Sequence, residues 1–321
     1  MKRREFFGTA AASAGAAALA AQTGQLKAGD IPRRTLGKTG EKLTIIGPAG
    51  GRFGMCGFED AKAIVRRACD LGVNYYDNAR LYWGGRSEEV FGEVLAPVRK
   101  NVFITTKCAR YTKAAAEADL EASLKALRTD YIDLWQVHQV SEMKEVEEIF
   151  GPNGSLPVFE AAKKAGKVRF IGFTGHRDPH VHLEMLKRYD KWDTILMPIN
   201  PADPSYLSFE KLVLPVAVER GMGIQAMKST ANSKLLHSIG IRECLSYVLS
   251  LPVHVVAMGA TTIGQIEDDV RIAQQFQPLT ADRMEELRKR ASRFAGPQME
   301  DWKRNVKAAA NAPLYRDGVL S

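Results

Sequence analysis

Residues 102–138 read VFITTKCARYTKAAAEADLEASLKALRTDYIDLWQVH. Two β-prone runs, Val102 to Thr106 and Tyr131 to Val137, end in Lys107 and His138, and between them Leu120, Ser123, Leu124 and Leu127 recur at helical spacing. A strand, a helix and a second strand at this distance predict a parallel crossover unit. The unit repeats in both directions. Upstream, Val73-Asn74-Tyr75-Tyr76 runs into Asp77 behind a helical stretch marked by Ala63, Ile64, Ala68 and Leu71. Along the chain, short apolar runs end near Gly50, Asp77, Lys107, His138, Thr174, Asn200, Met227 and Gly259, at intervals of 26 to 36 residues. Eight strands, each followed by a helical segment, predict an α/β chain of the (β/α)8 TIM-barrel class. A doubly wound sheet would carry GxGxxG after its first strand, and that motif is absent there.

Two elements are added to the repeat. Arg34-Thr35-Leu36-Gly37-Lys38-Thr39-Gly40, followed by Glu41 to Thr44, reads as an N-terminal β-hairpin. Thr280 to Ala295 reads as an extra C-terminal helix, with Thr280 as N-cap and Leu279, Met284 and Leu287 on one face. The tail from Gly296 to Ser321 is expected to cover the barrel, with a part in shaping its mouth as the alternative. Of the 321 residues, 45% are hydrophobic and 26% charged, which excludes a disordered or collagen-like chain. The net charge of +8 is spread without a dense Lys/Arg run, so no nucleic-acid partner is expected. Cys56, Cys69, Cys108 and Cys244 form no CxxC pair and give neither a zinc ribbon nor an iron–sulfur run.

The first twenty residues read as an address. Lys2-Arg3-Arg4-Glu5-Phe6-Phe7 precedes an Ala/Gly-rich stretch that ends in Ala18-Leu19-Ala20, a pattern a signal peptidase cuts. The adjacent arginines ahead of a weakly apolar segment predict a twin-arginine (Tat) signal, hence the Tat machinery as partner and a periplasmic or exported location. The apolar run is shorter than the roughly 20 residues that span a bilayer, so no stable anchor is expected after cleavage. Residues 1–20 are then signal, 21–32 linker and 33–321 barrel. Tat export carries folded cargo, commonly with its cofactor bound.

In a barrel of this class, chemistry gathers at the C-terminal ends of the strands. There stand Asp77, Lys107 and His138, with Tyr82 five residues beyond Asp77. Each is costly to place at the end of a buried strand unless the others satisfy it. Together they handle a proton. A phenol titrates near 10 in water, and an ammonium beside it stabilises the phenolate. A carboxylate holds that ammonium charged and aimed, and an imidazole across the pocket hydrogen-bonds a substrate oxygen. Taken singly, Asp77 could cap a loop, Tyr82 pack one, Lys107 face solvent and His138 sit satisfied in the core. Their joint placement on consecutive strands favours catalysis.

These segments resemble the aldo-keto reductase family. The likeness rests on the hairpin Arg34 to Gly40, on Val73 to Ala79 with Tyr82, on Phe103 to Lys107 and on Asp119 to His138, and it covers roughly residues 33 to 275. It implies a nicotinamide cofactor bound without a Rossmann fold, with Asp77, Tyr82, Lys107 and His138 as the catalytic four. It also implies that Thr174, Gly175 and His176 stand where many members have Gly-x-Ser-Asn for the carboxamide, so that His176 takes over a contact made elsewhere by Asn. Asn200 replaces a frequent Gln, and Met227 replaces an aromatic that stacks on the nicotinamide. Lys228 is within reach of a phosphate. Gly259, Ala260, Thr261 and Gln265 are implied at the adenosine phosphate, by a helix N-terminus that favours anions, with Asp268 and Asp269 at the adenine. Gln265 occupies the place of the usual Arg or Lys for a 2′-phosphate. The family default nevertheless leans to NADP(H) over NAD(H).

Trp83 and Tyr111 are the candidate substrate wall, as rigid aromatics shape apolar clefts, with loop packing as the alternative. His176, His180 and His182 have a metal-like spacing. His180 and His182, however, fall on the first turn of a helix with rings pointing apart, so no metal is expected. The expected function is hydride transfer between NAD(P)H and a small carbonyl or alcohol, sugar-like or a simple aldehyde or ketone. The alternatives are a nucleotide-binding regulatory barrel without significant turnover and, less well fitted, an isomerase or lyase using Lys107 as a Schiff base.

Overall fold

The alternation of side chains along each strand decides which of them enter the barrel. The computed structural model describes residues 28–303 apart from Ala109, so the expected export signal, most of the linker and the tail beyond Lys303 lie outside the described residues. A short antiparallel hairpin, β1 (Arg33–Thr35) and β2 (Lys42–Thr44), comes first. Eight parallel strands then close a barrel among the described residues: β3 (Ile46–Ala49), β4 (Tyr75–Asp77), β5 (Phe103–Cys108), β6 (Ile132–Val137), β7 (Val168–Thr174), β8 (Thr194–Pro198), β9 (Gly223–Met227) and β10 (Val255–Gly259), with β10 pairing back onto β3. The fold is the predicted (β/α)8 barrel, and each strand stops within two residues of the end read from the sequence.

Helices α1 (Phe58–Asp70), α2 (Arg86–Leu95), α3 (Lys113–Ala126), α4 (Met143–Phe150), α5 (Leu156–Lys164), α6 (Pro179–Arg188), α7 (Phe209–Leu212), α8 (Leu214–Glu219), α9 (Ile241–Ser250), α10 (Ile263–Gln274) and α11 (Ala281–Ser292) surround it. α1 shows why they do so. It buries Ala61, Ile64, Val65 and Ala68, spaced i, i+3, i+4, i+7, while its other faces stay wet. Thr262 and Thr280 cap α10 and α11, their hydroxyls accepting from the amides of Gln265 and Arg283 at 3.3 Å.

Inside the barrel, Tyr75, Phe103, Leu134, Val255 and Ala257 form a cluster separate from the outer core, closed at the N-terminal end by Leu36 and Leu43 of the hairpin. The hairpin seats tightly because Gly37, at φ +49°, has no Cβ; one would lie 2.3 Å from the Met222 carbonyl carbon. A polar layer follows above, where the Tyr75 hydroxyl donates to Gln225 Oε1 at 2.6 Å and Gln136 Nε2 donates to Thr105 Oγ1 at 2.9 Å. Two residues further along β4, β5, β6 and β7, the same inward parity gives Asp77, Lys107, His138 and Thr174. The alternation thus delivers these four to one mouth.

Candidate active site

Lys107 is buried, and its Nζ lies 2.8 Å from both carboxylate oxygens of Asp77 and also donates to the Asn78 carbonyl. Burial pushes the ammonium down and the carboxyl up from their ordinary values, and the contact between the two opposes both shifts. The Tyr82 ring centroid is 5.0 Å from Lys107 Nζ and 5.6 Å from the His138 ring, which it meets edge to face. Burial, then the charge of Lys107, holds His138 well below the usual imidazole range, so it is neutral at pH 7. Its Nδ1 is buried without a protein partner. The four sequence-predicted residues therefore meet at one place.

The Tyr82 loop is bracketed by residues the sequence reading passed over. Arg80 pairs with Glu88, a fully buried carboxylate on α2 that also accepts from Thr106 Oγ1 at 2.6 Å. Trp83, Gly84 and Gly85 follow with φ of +52°, +61° and +94°. Gly85 leaves room for the Arg80 guanidinium, since a Cβ there would lie 2.0 Å from Arg80 Nη2. A Glu six residues after Tyr82 at the start of a helix was the available signal. Trp83 lies against Phe58, at 6.2 Å between ring centroids, and under the Arg86 guanidinium at 4.6 Å. Tyr111 donates its hydroxyl to the His138 carbonyl at 2.9 Å.

The strand ends β7 to β10 are built differently. Thr174 is buried, and its carbonyl accepts from Val140 N at 2.9 Å. Gly175 explains the missing Asn: a Cβ there would lie 2.1 Å from the Val140 carbonyl oxygen and 2.7 Å from the His182 ring. His176 presents a buried, unpartnered Nδ1, and burial followed by Lys228 holds it well below its usual range. Asn200 is engaged within the chain. Its Oδ1 accepts from Ala202 N at 2.8 Å and Asp203 N at 3.2 Å, and its Nδ2 donates to Glu300 Oε1 at 3.0 Å. Met227 is half-buried at the end of β9. Lys228 has left-handed backbone, φ +57°, and its Nζ lies 5.0 Å from the Trp302 ring centroid. Burial, reinforced by Arg52, pushes that ammonium down to about 8.

Gly259 leads out of β10 under the Arg52 side chain, and Ala260 is buried behind it. Thr261 donates its amide and hydroxyl to Gln265 Oε1 at 2.7 and 3.1 Å, folding Gln265 back over the helix start. Asp268 is exposed and paired with Arg271, whereas Asp269 is buried and pushed up to about 8 by that burial. The two acids expected at the adenine thus occupy different environments. The histidine trio also separates. His180 is exposed and bonds Asp178 at 2.9 Å, while His182 packs between Phe173 and Phe209 at 5.2 and 4.9 Å.

The C-terminal segment is expected from its sequence to cover the barrel, with a part in shaping its mouth as the alternative. Within it, Lys303 Nζ lies 2.5 Å from Asp203 Oδ1 and 2.9 Å from Glu300 Oε1, all three side chains fully buried. Asp301 pairs with Lys234 at 2.9 Å, and Lys234 also donates to the Gln298 carbonyl at 2.9 Å. These contacts fasten Gly296 to Lys303 over the residues that follow β8 and β9. Glu300, Trp302 and Lys303 within four residues of a tail were its signal.

Comparison with known proteins agrees with this architecture. The family model described as Aldo/keto reductase family matches residues 49–240. L-galactose dehydrogenase of Arabidopsis thaliana is 28% identical over 293 residues, 78% of this chain and 91% of that protein. L-glyceraldehyde 3-phosphate reductase of Escherichia coli K12 is 28% identical over 196 residues, 56% of this chain and 54% of that protein. The holo form of an aldo-keto reductase from Bacillus halodurans superposes with a TM-score of 0.71 at 25% identity, covering 84% of this chain and 99% of that one. With the family model spanning more than half of its length and a closed barrel of the same kind beneath it, this chain belongs to the aldo/keto reductase family of NAD(P)H-dependent oxidoreductases.

Proposed function

We propose that the protein transfers hydride between a nicotinamide cofactor and a small carbonyl or alcohol, with Tyr82 as the general acid and base. The observation that carries this reading is the buried Lys107 ammonium, 2.8 Å from Asp77 and 5.0 Å from the Tyr82 ring. Asp77 keeps the ammonium in place, the ammonium favours the phenolate, and Tyr82 gives its proton to the carbonyl oxygen in reduction and recovers it in oxidation. His138, neutral and fixed, orients that oxygen by a hydrogen bond.

The residues at β7 to β10 fit a nicotinamide dinucleotide. Buried polar atoms without a partner are rare, and His176 Nδ1 is one at the mouth, free to meet a carboxamide. Thr261, Thr262 and the N-terminus of α10 would hold phosphate. When bound, the cofactor supplies or accepts the hydride. We favour NADP(H), the family default, although Gln265 offers no cation to a 2′-phosphate. On the Lys2 to Ala20 signal we place the mature protein outside the cytoplasm, where NADPH is not replenished, and infer a cofactor that stays bound and cycles between two substrates.

The test is NADPH oxidation by the purified protein with 4-nitrobenzaldehyde, read at 340 nm, beside mass spectrometry of the nucleotide released on denaturation. Turnover with near one nicotinamide nucleotide per chain is the expected result. Nucleotide without turnover on any simple aldehyde would instead favour a regulatory barrel. No retained nucleotide would remove the bound-cofactor reading.

A further inference from the structure

Tyr82 and Lys107 reach the mouth on different pieces of chain. Lys107 belongs to β5, whereas Tyr82 stands in the connection between β4 and α2. That connection starts in step with β5: Asn78 N donates to the Thr105 carbonyl at 3.0 Å, and Arg80 N donates to the Lys107 carbonyl at 3.1 Å. It then turns away. Tyr82 N donates to the Ala79 carbonyl at 3.0 Å, and Trp83, Gly84 and Gly85 carry positive φ in succession. Glycines in a loop allow it several courses unless contacts outside the loop select one.

One carboxylate joins the two pieces. Lys107 points into the barrel, so its neighbour Thr106 points out of it, toward α2. There Thr106 Oγ1 donates to Glu88 Oε1 at 2.6 Å, and the other oxygen of Glu88 accepts from the Arg80 guanidinium. Ser87, beside Glu88 on the first turn of α2, donates its hydroxyl to the Gly50 carbonyl at 3.1 Å and seats that turn against the chain that follows β3. Glu88 therefore holds the residue before Lys107 with one oxygen and the residue two before Tyr82 with the other. Its side chain is fully buried, and that of Arg80 is 23% exposed. Apolar side chains of similar volume often replace a buried ion pair without loss of stability, so stability is a weak reason for this one. What the pair supplies is geometry, because a guanidinium and a carboxylate satisfy each other only over a narrow range of positions.

We propose that Glu88 and Arg80 are positioning residues for proton transfer: they tie the loop that carries Tyr82 to the strand that carries Lys107, and so fix the 5.0 Å between the ammonium and the ring. This rests on the reading of Tyr82 as the general acid and base. Both residues act at a distance from the reacting atoms, through the placement of a phenol that must meet the ammonium and the carbonyl oxygen together. A misplacement of about 1 Å in such an arrangement costs about 10²-fold in rate.

The experiment compares Arg80→Met, Glu88→Gln and the double variant with the native full chain, on 4-nitrobenzaldehyde and NADPH, at a temperature well below each Tm. Glu88→Gln keeps the length of the side chain and its hydrogen-bonding groups, so it carries the test if Arg80→Met, which strands a buried carboxylate, does not fold. Each single variant is expected to lower kcat by about tenfold or more, while KM and the Kd for NADPH move by less than about threefold. The double variant should lie within about threefold of the slower single one, as two residues that act as a unit require. A lower Tm with kcat within about twofold of native would make the pair a packing contact and overturn the proposal. Losses that multiply in the double variant overturn it too, as does a loss of NADPH affinity as large as the loss of kcat. If the native protein turns over no aldehyde, the reading of Tyr82 as the acid fails by itself, and amide hydrogen exchange decides on the tie between loop and strand. Exchange over residues 78–85 that is about tenfold faster in Glu88→Gln, with β6 unchanged, supports the tie, and unchanged exchange overturns it.

Discussion

At the ends of β4 and β5, Lys107 sits against both carboxylate oxygens of Asp77, whereas beyond β9 Lys228 meets the face of Trp302 and, among the described residues, no carboxylate. The two lysines stand at the mouth of one barrel, and the contrast divides that mouth into a self-neutralised side and a side left open to charge. On the first, the Lys107 ammonium and the Asp77 carboxylate balance each other, so that geometry exists before any ligand arrives. On the second, His176 Nδ1, buried without a hydrogen-bond partner among the described residues, and the Lys228 ammonium, held by an aromatic face, leave bonding capacity for what binds.

The hardest blow to this division is Tyr82→Phe. It removes the proton and keeps the ring, so kcat on 4-nitrobenzaldehyde should fall by about 10³-fold or more while the Kd for NADPH moves by less than about threefold. Equal losses of turnover and nucleotide affinity would show that the two sides are one, and that the role given to Tyr82 is wrong.

Next in size is a change of stability. Lys303→Met leaves Asp203 and Glu300 buried beside each other without their shared ammonium. Breaking a buried ion pair from one end costs roughly 3 to 5 kcal/mol, enough to lower Tm by about 10 °C in a chain of this size. A shift below about 2 °C in calorimetry would mean that the C-terminal segment is not fastened as described, and the side that Trp302 builds would lose its support.

Asp77→Asn probes the self-neutralised side from its anion. Burial pushes Lys107 down and Asp77 opposes that shift, so removing the carboxylate lets the Lys107 value fall further. The ammonium is then lost at a lower pH than in the native protein. Turnover should fall about 10²-fold at neutral pH, and the alkaline limb of the kcat profile should move toward acid. A profile that keeps its shape while its height drops would assign Asp77 to packing.

The same division marks what the chain discloses by reading alone. Barrel and hairpin were legible because parallel strands recur at even intervals, and because the alternation that puts Tyr75, Phe103 and Leu134 inside also delivers Asp77, Lys107 and His138 two or four residues on. The open side was not. Gly175 looks like a lost Asn until the Val140 carbonyl is seen to occupy the space of its Cβ. Glu300 reaches Asn200 across 100 residues, and Lys303 reaches Asp203 across the same distance, a pairing with no periodicity to announce it. Arg52 lies in a short 3-10 helix, Gly50–Met55, too brief for a spacing pattern to give its direction.

The smallest effect concerns the far end of the open side. Gln265 stands on the first turn of α10 and accepts from the Thr261 amide and hydroxyl, so its side chain is folded over the turn instead of extended toward a ligand. An Arg at this place would give up that bond and present a guanidinium where the helix N-terminus already favours an anion. Gln265→Arg should therefore raise the preference for NADPH over NADH by about tenfold, read as the ratio of their Kd values, while the lost contact lowers stability by about 1 kcal/mol. The NADH affinity is the sensitive control, because it carries no 2′-phosphate. If both nucleotides tighten together, the cation is serving the pyrophosphate and the adenosine end lies elsewhere. If neither moves, the N-terminus of α10 is not where the nucleotide ends, and the open side of the mouth is shorter than its unpartnered groups imply.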